Sequence, residues 1–457
     1  MPNETHPPGQ QSIIIQRIGD DTITLKVDGE VREIHNQLAE LKALLQHRQV
    51  QTVQYAEKIY NIEHIDEANF AFVTGKKAFN EQLTKALIEE IRDDCLPARR
   101  FLEKVAAIEH WESQMRISDK AKEIIAYSFV GVIGIQLSKL MAIGKEDFSE
   151  AKMRKYLEKC LHIAKRSLDL INFALLSRFW DAQKKRGRPL SAAPKAVLAH
   201  HFDNPFEPSL DEQFRLLEAL HAIYSQEDQA LHFPMPELAG FADRLEAGSD
   251  LRRICRALQG LNEKLDKAQY DLLDCFEAEN QLAAFLGQFR FLVNYRMASI
   301  KRIGYRQIRE DAPHFLHRYT ALGIDSKANV DAEKVNYTLE PAHTDAVLLY
   351  RGDHYRESVN LSPFVIDYNA LTFEHGARIC FYRSSDLADG SLDYLFLEDN
   401  SIVNIGTTGT LTPDTDYNEL MMNNDKWKNL NLDNVVRDFR KARRTLLGED
   451  ALNLDDI

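Results

Sequence analysis

The side chains best suited to chemistry in this chain are arginines and histidines gathered in a few stretches. In YRMASIKRIGYRQIREDAPHFLHRY, Arg302, Arg306 and Arg309 recur at four and three residues, the spacing of one helical face, and His314 follows Arg309 after four intervening residues. A helix end with Arg309, Glu310 and Asp311 in surface pairs accounts for the same residues without function. The other histidine groups are His200 with His201, His314 with His317, and a C-terminal set of His343, Asp345, Asp353, His354 and His375. None has a recognised ligand spacing, and adjacent histidines on an extended chain point to opposite faces, so no metal is expected. VTGKKAF has Gly75 and Lys76 but neither the upstream glycine nor the Ser/Thr of a phosphate-cradling loop. With no GxGxxG after a strand, no GxSxG and no HExxH, no cofactor and no common hydrolase chemistry are indicated.

Two of these stretches carry resemblances. Arg309-x4-His314 resembles the Arg and His of the HEPN ribonuclease motif, which implies a histidine acting on a ribose 2′-hydroxyl and an arginine holding the phosphate. Pro313 directly precedes the histidine here, and Glu310 stands where that motif carries its polar residue. Arg186-Gly187-Arg188-Pro189 looks like the core of an AT-hook, which implies Arg186 and Arg188 lying in an A·T-rich minor groove. The tetrapeptide also sits where a long helical pattern stops, and cations followed by proline suit a helix C-terminus. Arg186, Arg188, Arg302 and Arg306 are thus the candidate nucleic-acid contacts, and Arg309 with His314 the candidate catalytic pair.

Composition narrows the class. The 457 residues hold 57 Lys and Arg against 70 Asp and Glu, a net charge of −13, which argues against a protein that coats nucleic acid while allowing a local basic patch. Cys95, Cys160, Cys255, Cys275 and Cys380 are far apart at mostly apolar positions, the pattern of reduced, buried thiols in a cytosolic protein. The apolar run IIAYSFVGVIGIQLS, residues 124–138, is shorter than the about 20 residues of a membrane span and reads as a core helix in which Gly131 and Gly134 allow close approach. MPNETHPPGQQ has none of the regions of a secretory signal, so a cytoplasmic protein without constitutive membrane association is expected.

Periodicity predicts an α+β chain that is predominantly α-helical. After a tail over 1–11, SIIIQRIGDDTITLKVDGEV reads as a β-hairpin, and Asp28-Gly29 breaks to a helix bearing Ile34, Leu38, Leu41 and Leu45, together spanning 12–50. A helical domain over 51–185 follows, with Met153, Leu157, Cys160, Ala164, Leu168, Ile171 and Leu175 on one face of a long helix. Residues 186–208 read as a linker. The second helical block, 209–323, opens on a Ser209/Glu212 capping box. It continues as a heptad seam over 251–275 that contains Leu258, Leu261 and Leu265 and breaks at Glu279. That seam suits one long helix inside a bundle, or a self-association helix. Short β-rich runs over 324–448 predict an antiparallel sheet covered by the helix LDNVVRDFRKARRTLLGED, and 449–457 is a tail.

Longer stretches carry a further resemblance. SIIIQRIGDDTITLKVDGEVREI with AEKIYNIEHIDEANF resembles the effector-associated or adaptor segments of bacterial conflict-system proteins, which often accompany STAND-type NTPases. SFVGVIGIQLSKLMAIGK, YLEKCLHIAKRSLDLINFALLSRFWD, FLVNYRMASIKRIGYRQIREDAPHFLHRYTALGID and NLSPFVIDYNALTFEHGARICFY are similar to regions of other bacterial proteins of that setting. The resemblance implies a regulatory or adaptor component of an antiviral defence or programmed-death system. Its partner would be another protein of the same system or a second copy, contacted through Ile34, Leu38, Leu41 and Leu45 or through Leu258, Leu261 and Leu265. A nucleic-acid-acting effector using Arg309 and His314 is the first alternative, and membrane perturbation through residues 124–138 the second.

Overall fold

The computed structural model describes residues 78–186, 190–226, 231–324, 344–352, 358–386, 390–408 and 423–449, with six further strands described by their backbone. Five of those strands are N-terminal: β1 (Gln11–Ile18), β2 (Thr22–Val27), β3 (Glu30–His35), β4 (Val50–Tyr55) and β5 (Lys58–Tyr60), in the order β3-β2-β1-β4-β5. The expected β1–β2 hairpin is present. Ile34, however, lies on β3 opposite Ile23 and not on a helix. Val27 pairs with Glu30, so β3 runs antiparallel to β2 in place of the expected helix; Asp28 and Gly29 lie outside the described residues. Leu38, Leu41 and Leu45 lie outside the described residues. Strands β4 and β5 likewise replace the beginning of the helical domain expected from residue 51.

The helical body runs α1 (Glu81–Glu90), α2 (Leu96–Val105), α3 (Met115–Ser128), α4 (Gly131–Ile143), α5 (Glu150–Arg186), α6 (Ala192–Asp203), α7 (Leu210–Tyr224), α8 (Ala242–Leu245), α9 (Asp250–Asp266) and α10 (Leu272–Gln288). Every residue over 166–177 of α5 is buried, because α4, α7, α9 and α10 surround it. The predicted apolar face of this helix is therefore one side of an all-round core helix. Residues 124–138 are two helices, since Phe129 and Val130 are extended between α3 and α4. Among the described residues no helix is long and apolar enough to cross a membrane.

Residues 186–208, read as a linker, carry α6. The heptad seam is split as well: α9 ends at Asp266, Ala268 takes φ +50°, and Asp271 caps α10. The seam leucines thus face their own chain. Glu279, at the seam's break, is buried; its Oε1 accepts the Asn80 backbone N–H at 2.8 Å and the Tyr156 hydroxyl at 2.7 Å.

The antiparallel region begins at residue 295 and not near 324. Strands β6 (Tyr295–Arg306), β7 (His314–Leu322), β8 (Lys334–Thr338), β9 (Val347–Arg351) and β10 (Val359–Asn360) form a sheet in the order β10-β9-β6-β7-β8. A second sheet holds β11 (Val365–Asp367), β12 (Ile379–Ser385), β13 (Leu392–Phe396) and β14 (Ile402–Ile405), with the short α11 (Tyr368–Leu371) after β11. Helix α12 (Asn424–Leu447) closes the fold as expected, its Phe439 ring set against Phe202, Phe364 and Tyr382. One apolar core runs continuously from residue 79 to residue 447 through the helices and both of these sheets. The chain is α+β and predominantly helical.

Candidate nucleic-acid interface

Strand β6 is buried at its root and exposed at its far end. Tyr295, Met297, Ala298, Ser299 and Ile300 are buried, whereas Arg302, Tyr305 and Arg306 are exposed. The reason is pairing: β9 accompanies β6 only as far as Ser299, and beyond it β6 has β7 alone among the described strands. A bulge between Ile300 and Arg302 sets Lys301 aside, where it pairs with Asp367.

Past the bulge the register sorts the side chains by chemistry. Arg302 stands opposite Arg318, Gly304 opposite Leu316 and Arg306 opposite His314 on one face. Ile303 opposite His317 and Tyr305 opposite Phe315 form the other. The Tyr305 and Phe315 rings meet edge to face at 5.7 Å, a cross-strand contact that stiffens the ribbon. His317 is buried on that face, and burial pushes its imidazole toward the neutral form.

This face gathers basic residues: Arg302 lies opposite Arg318 and Arg306 opposite His314. All four side chains are exposed. Among the described residues no hydrogen bond or ion pair reaches Arg302, Arg306, Arg309 or His314. Residues 295–322 hold six Lys or Arg against two acids, in a chain whose net charge is −13. A polyanion laid along this face would be attracted to its arginines.

The three arginines therefore do not share a helical face, because pairing to β7 overrides the helical spacing. Arg302 and Arg306 share a strand face, and Arg309 sits at the hairpin tip with φ +49°. The tip turn closes through the Asp311 N–H and the Ile308 carbonyl at 3.0 Å. Arg318 is the cation that sequence reasoning missed; the only signal was its position two residues beyond Leu316 in an alternating strand.

The remaining candidates fall elsewhere. Leu258, Leu261 and Leu265 are core residues of α9, so they offer no docking surface. Arg186 ends α5, and Arg188 lies outside the described residues. His200 and His201 are on α6, not an extended chain: His200 is exposed and 2.9 Å from Glu212, while burial first, and His200 second, push His201 down to about 4. His375 is exposed, and His343, Asp353 and His354 lie outside the described residues. Among the described residues no group of three His, Cys, Asp or Glu could hold a metal ion, and the five cysteines are free and buried. No family model, curated protein or solved structure matches the chain.

Proposed function

We propose that this chain is a cytoplasmic regulatory or adaptor component of a bacterial defence system that engages nucleic acid through the basic face of the β6–β7 ribbon. The observation that carries this reading is the grouping of Arg302 opposite Arg318 and Arg306 opposite His314, all exposed on one face. The defence setting rests on the sequence resemblance. Four residues of strand separate Arg302 from Arg306, about 13 Å at a strand's rise, which is about four phosphate steps of one strand along a B-form axis. A two-stranded ribbon is also narrow enough to enter a major groove. The geometry favours binding over cleavage: Arg309 is at the tip, His314 lies across from Arg306, and no described carboxylate orients the imidazole.

The test is fluorescence anisotropy with labelled 20-mer duplex DNA, single-stranded DNA and RNA at 50 and 200 mM NaCl. At least one of these is expected to bind with strong salt dependence. Arg302→Glu/Arg306→Glu is expected to weaken that binding more than tenfold and to lower the log–log salt slope by about 2, one per lost phosphate contact. Binding to none of the three, or binding indifferent to the double substitution, removes the proposal. Acidic protein segments bound in place of nucleic acid would remove it equally.

A further inference from the structure

A cleft of ≈ 480 Å³, away from the ribbon, opens where the chain entering β9 meets α5 and α12. That volume is in the range of small-molecule sites. Its lining carries charges of both signs.

The acidic side is Asp345, two residues before β9, held in the left-handed region at φ +59°. Asp367 and Lys301 act on it from the neighbouring strands. Asp367 is fully buried; its Oδ2 accepts the Ser299 hydroxyl at 2.6 Å and pairs with Lys301, and its Oδ1 accepts the Arg378 N–H at 2.9 Å. Lys301 gives a further hydrogen bond to the Gly376 carbonyl at 2.9 Å. Lys301, the cation acting on Asp345 among the described residues, is therefore committed to another carboxylate. Burial first, and Asp367 beyond it, push the Asp345 carboxyl up to about 7 despite Lys301.

The helical part of the lining holds Lys184 on α5 with Arg437 and Lys441 one turn apart on α12. None of the three has an ion-pair partner among the described residues. Lys184 instead lies 3.4 Å over the ring of Trp180, which also lines the cleft. Asp181 and Asp438 share this wall and temper its field at Lys184 without contacting it as ion pairs. Trp180 Nε1 and Asn434 Oδ1, a donor and an acceptor of wall residues, are buried and have no hydrogen-bond partner among the described residues.

We propose that this cleft binds a small zwitterion, its primary ammonium on Asp345 and its oxyanion group on the Lys184, Arg437 and Lys441 wall. Neither a simple amine nor a simple anion satisfies both charges. Because the incoming ammonium favours the carboxylate form of Asp345, binding near neutrality releases a proton from it.

The experiment is calorimetry on the full chain with γ-aminobutyrate and phosphoethanolamine as zwitterionic probes, and putrescine and inorganic phosphate as single-charge controls. At least one zwitterion is expected to bind at least tenfold more tightly than either control. Repeating the titration at pH 6.5 in buffers of different ionisation enthalpy is expected to show proton release. Asp345→Asn is expected to weaken binding at least tenfold and abolish the proton release, and Lys441→Gln to weaken binding of the same probe.

Asparagine tolerates the left-handed region, so Asp345→Asn should fold. Its stability supplies a second reading. A carboxyl raised to about 7 in the folded chain, against 3.8 ordinarily, makes the wild type lose stability as pH rises through that window. Asp345→Asn is then expected to melt several degrees above wild type at pH 8 and level with it near pH 4. No binding by either zwitterion, tighter binding by a control, unchanged affinity in Asp345→Asn, or a melting difference independent of pH would each overturn the proposal.

Discussion

Arg166→Ala is expected to destabilise the fold by about 3–5 kcal/mol, read as a lowered urea midpoint with unchanged slope, because it strips the buried Asp169 carboxylate of its guanidinium and takes one of three cations from Glu207. Arg166 is 3 % exposed on the central helix α5. Its guanidinium holds Asp169 at 2.6 Å and Glu207 at 2.7 Å, and Asp169 is itself buried. Lys165, at 2.7 Å, and Arg383, at 3.4 Å, complete the shell around Glu207. Burial pushes the Glu207 carboxyl up, but Arg166 and Lys165 overcome it and hold the group down at about 2. Its contribution to stability is thus complete above the ordinary value of 4.5 and is lost as pH falls toward 2. In Arg166→Ala this acid loss should begin at higher pH. Adding Asp169→Leu should recover part of the lost stability, since the penalty belongs to the unpaired charge and not to the absence of the pair. A single variant with a near-normal midpoint would show that the cluster is solvated and worth little.

Gly134→Ala is expected to cost about 3 kcal/mol even though alanine is the better helix former by about 1 kcal/mol. Helix α4 approaches α3 so closely there that a Cβ on Gly134 would overlap the Ala126 carbonyl oxygen. Gly131 is similarly closed, by the Leu322 carbonyl at the end of β7, so Gly131→Ala should be at least as damaging. Backbone atoms cannot rotate aside as a side chain can, which makes the clash decide the sign. Gly260 is the control: it lies inside α9 with nothing within 4 Å of its Cβ position, and Gly260→Ala should stabilise by about 0.5–1 kcal/mol. Thermal melts of the three variants check this. A Gly134→Ala protein as stable as Gly260→Ala would contradict the close approach.

The candidate site was half legible beforehand. Its cations are visible as residues, but their arrangement depends on a bulge at Lys301 and on a register between strands whose facing residues are many positions apart. A spacing of four is common to a helix turn and to every second pair of a strand face, so Arg302 and Arg306 alone do not choose between them. The cleft at Asp345 was less legible still. Asp345 drew notice only as one of five acids and histidines, whereas the cations that line the cleft with it come from α5 and α12, separated from it in the chain.

Features that depend on a few adjacent residues were determined by the sequence itself. Among them are the first hairpin, the apolar face of α5, the closing helix and the burial of the cysteines. The Ser209 cap belongs with them: its hydroxyl accepts the Glu212 N–H at 3.2 Å, and Glu212 reaches back to the Ser209 N–H. In each, the hydrophobic period or the capping atoms act within about one turn, whatever surrounds them. Tertiary structure decided the rest: strand or helix at β3 and β6, two helices and not one at Ala268, and all-round burial of α5. Those choices follow from backbone hydrogen bonds and packing surfaces supplied by distant chain, whose free energy exceeds the few tenths of a kcal/mol per residue by which local propensities differ.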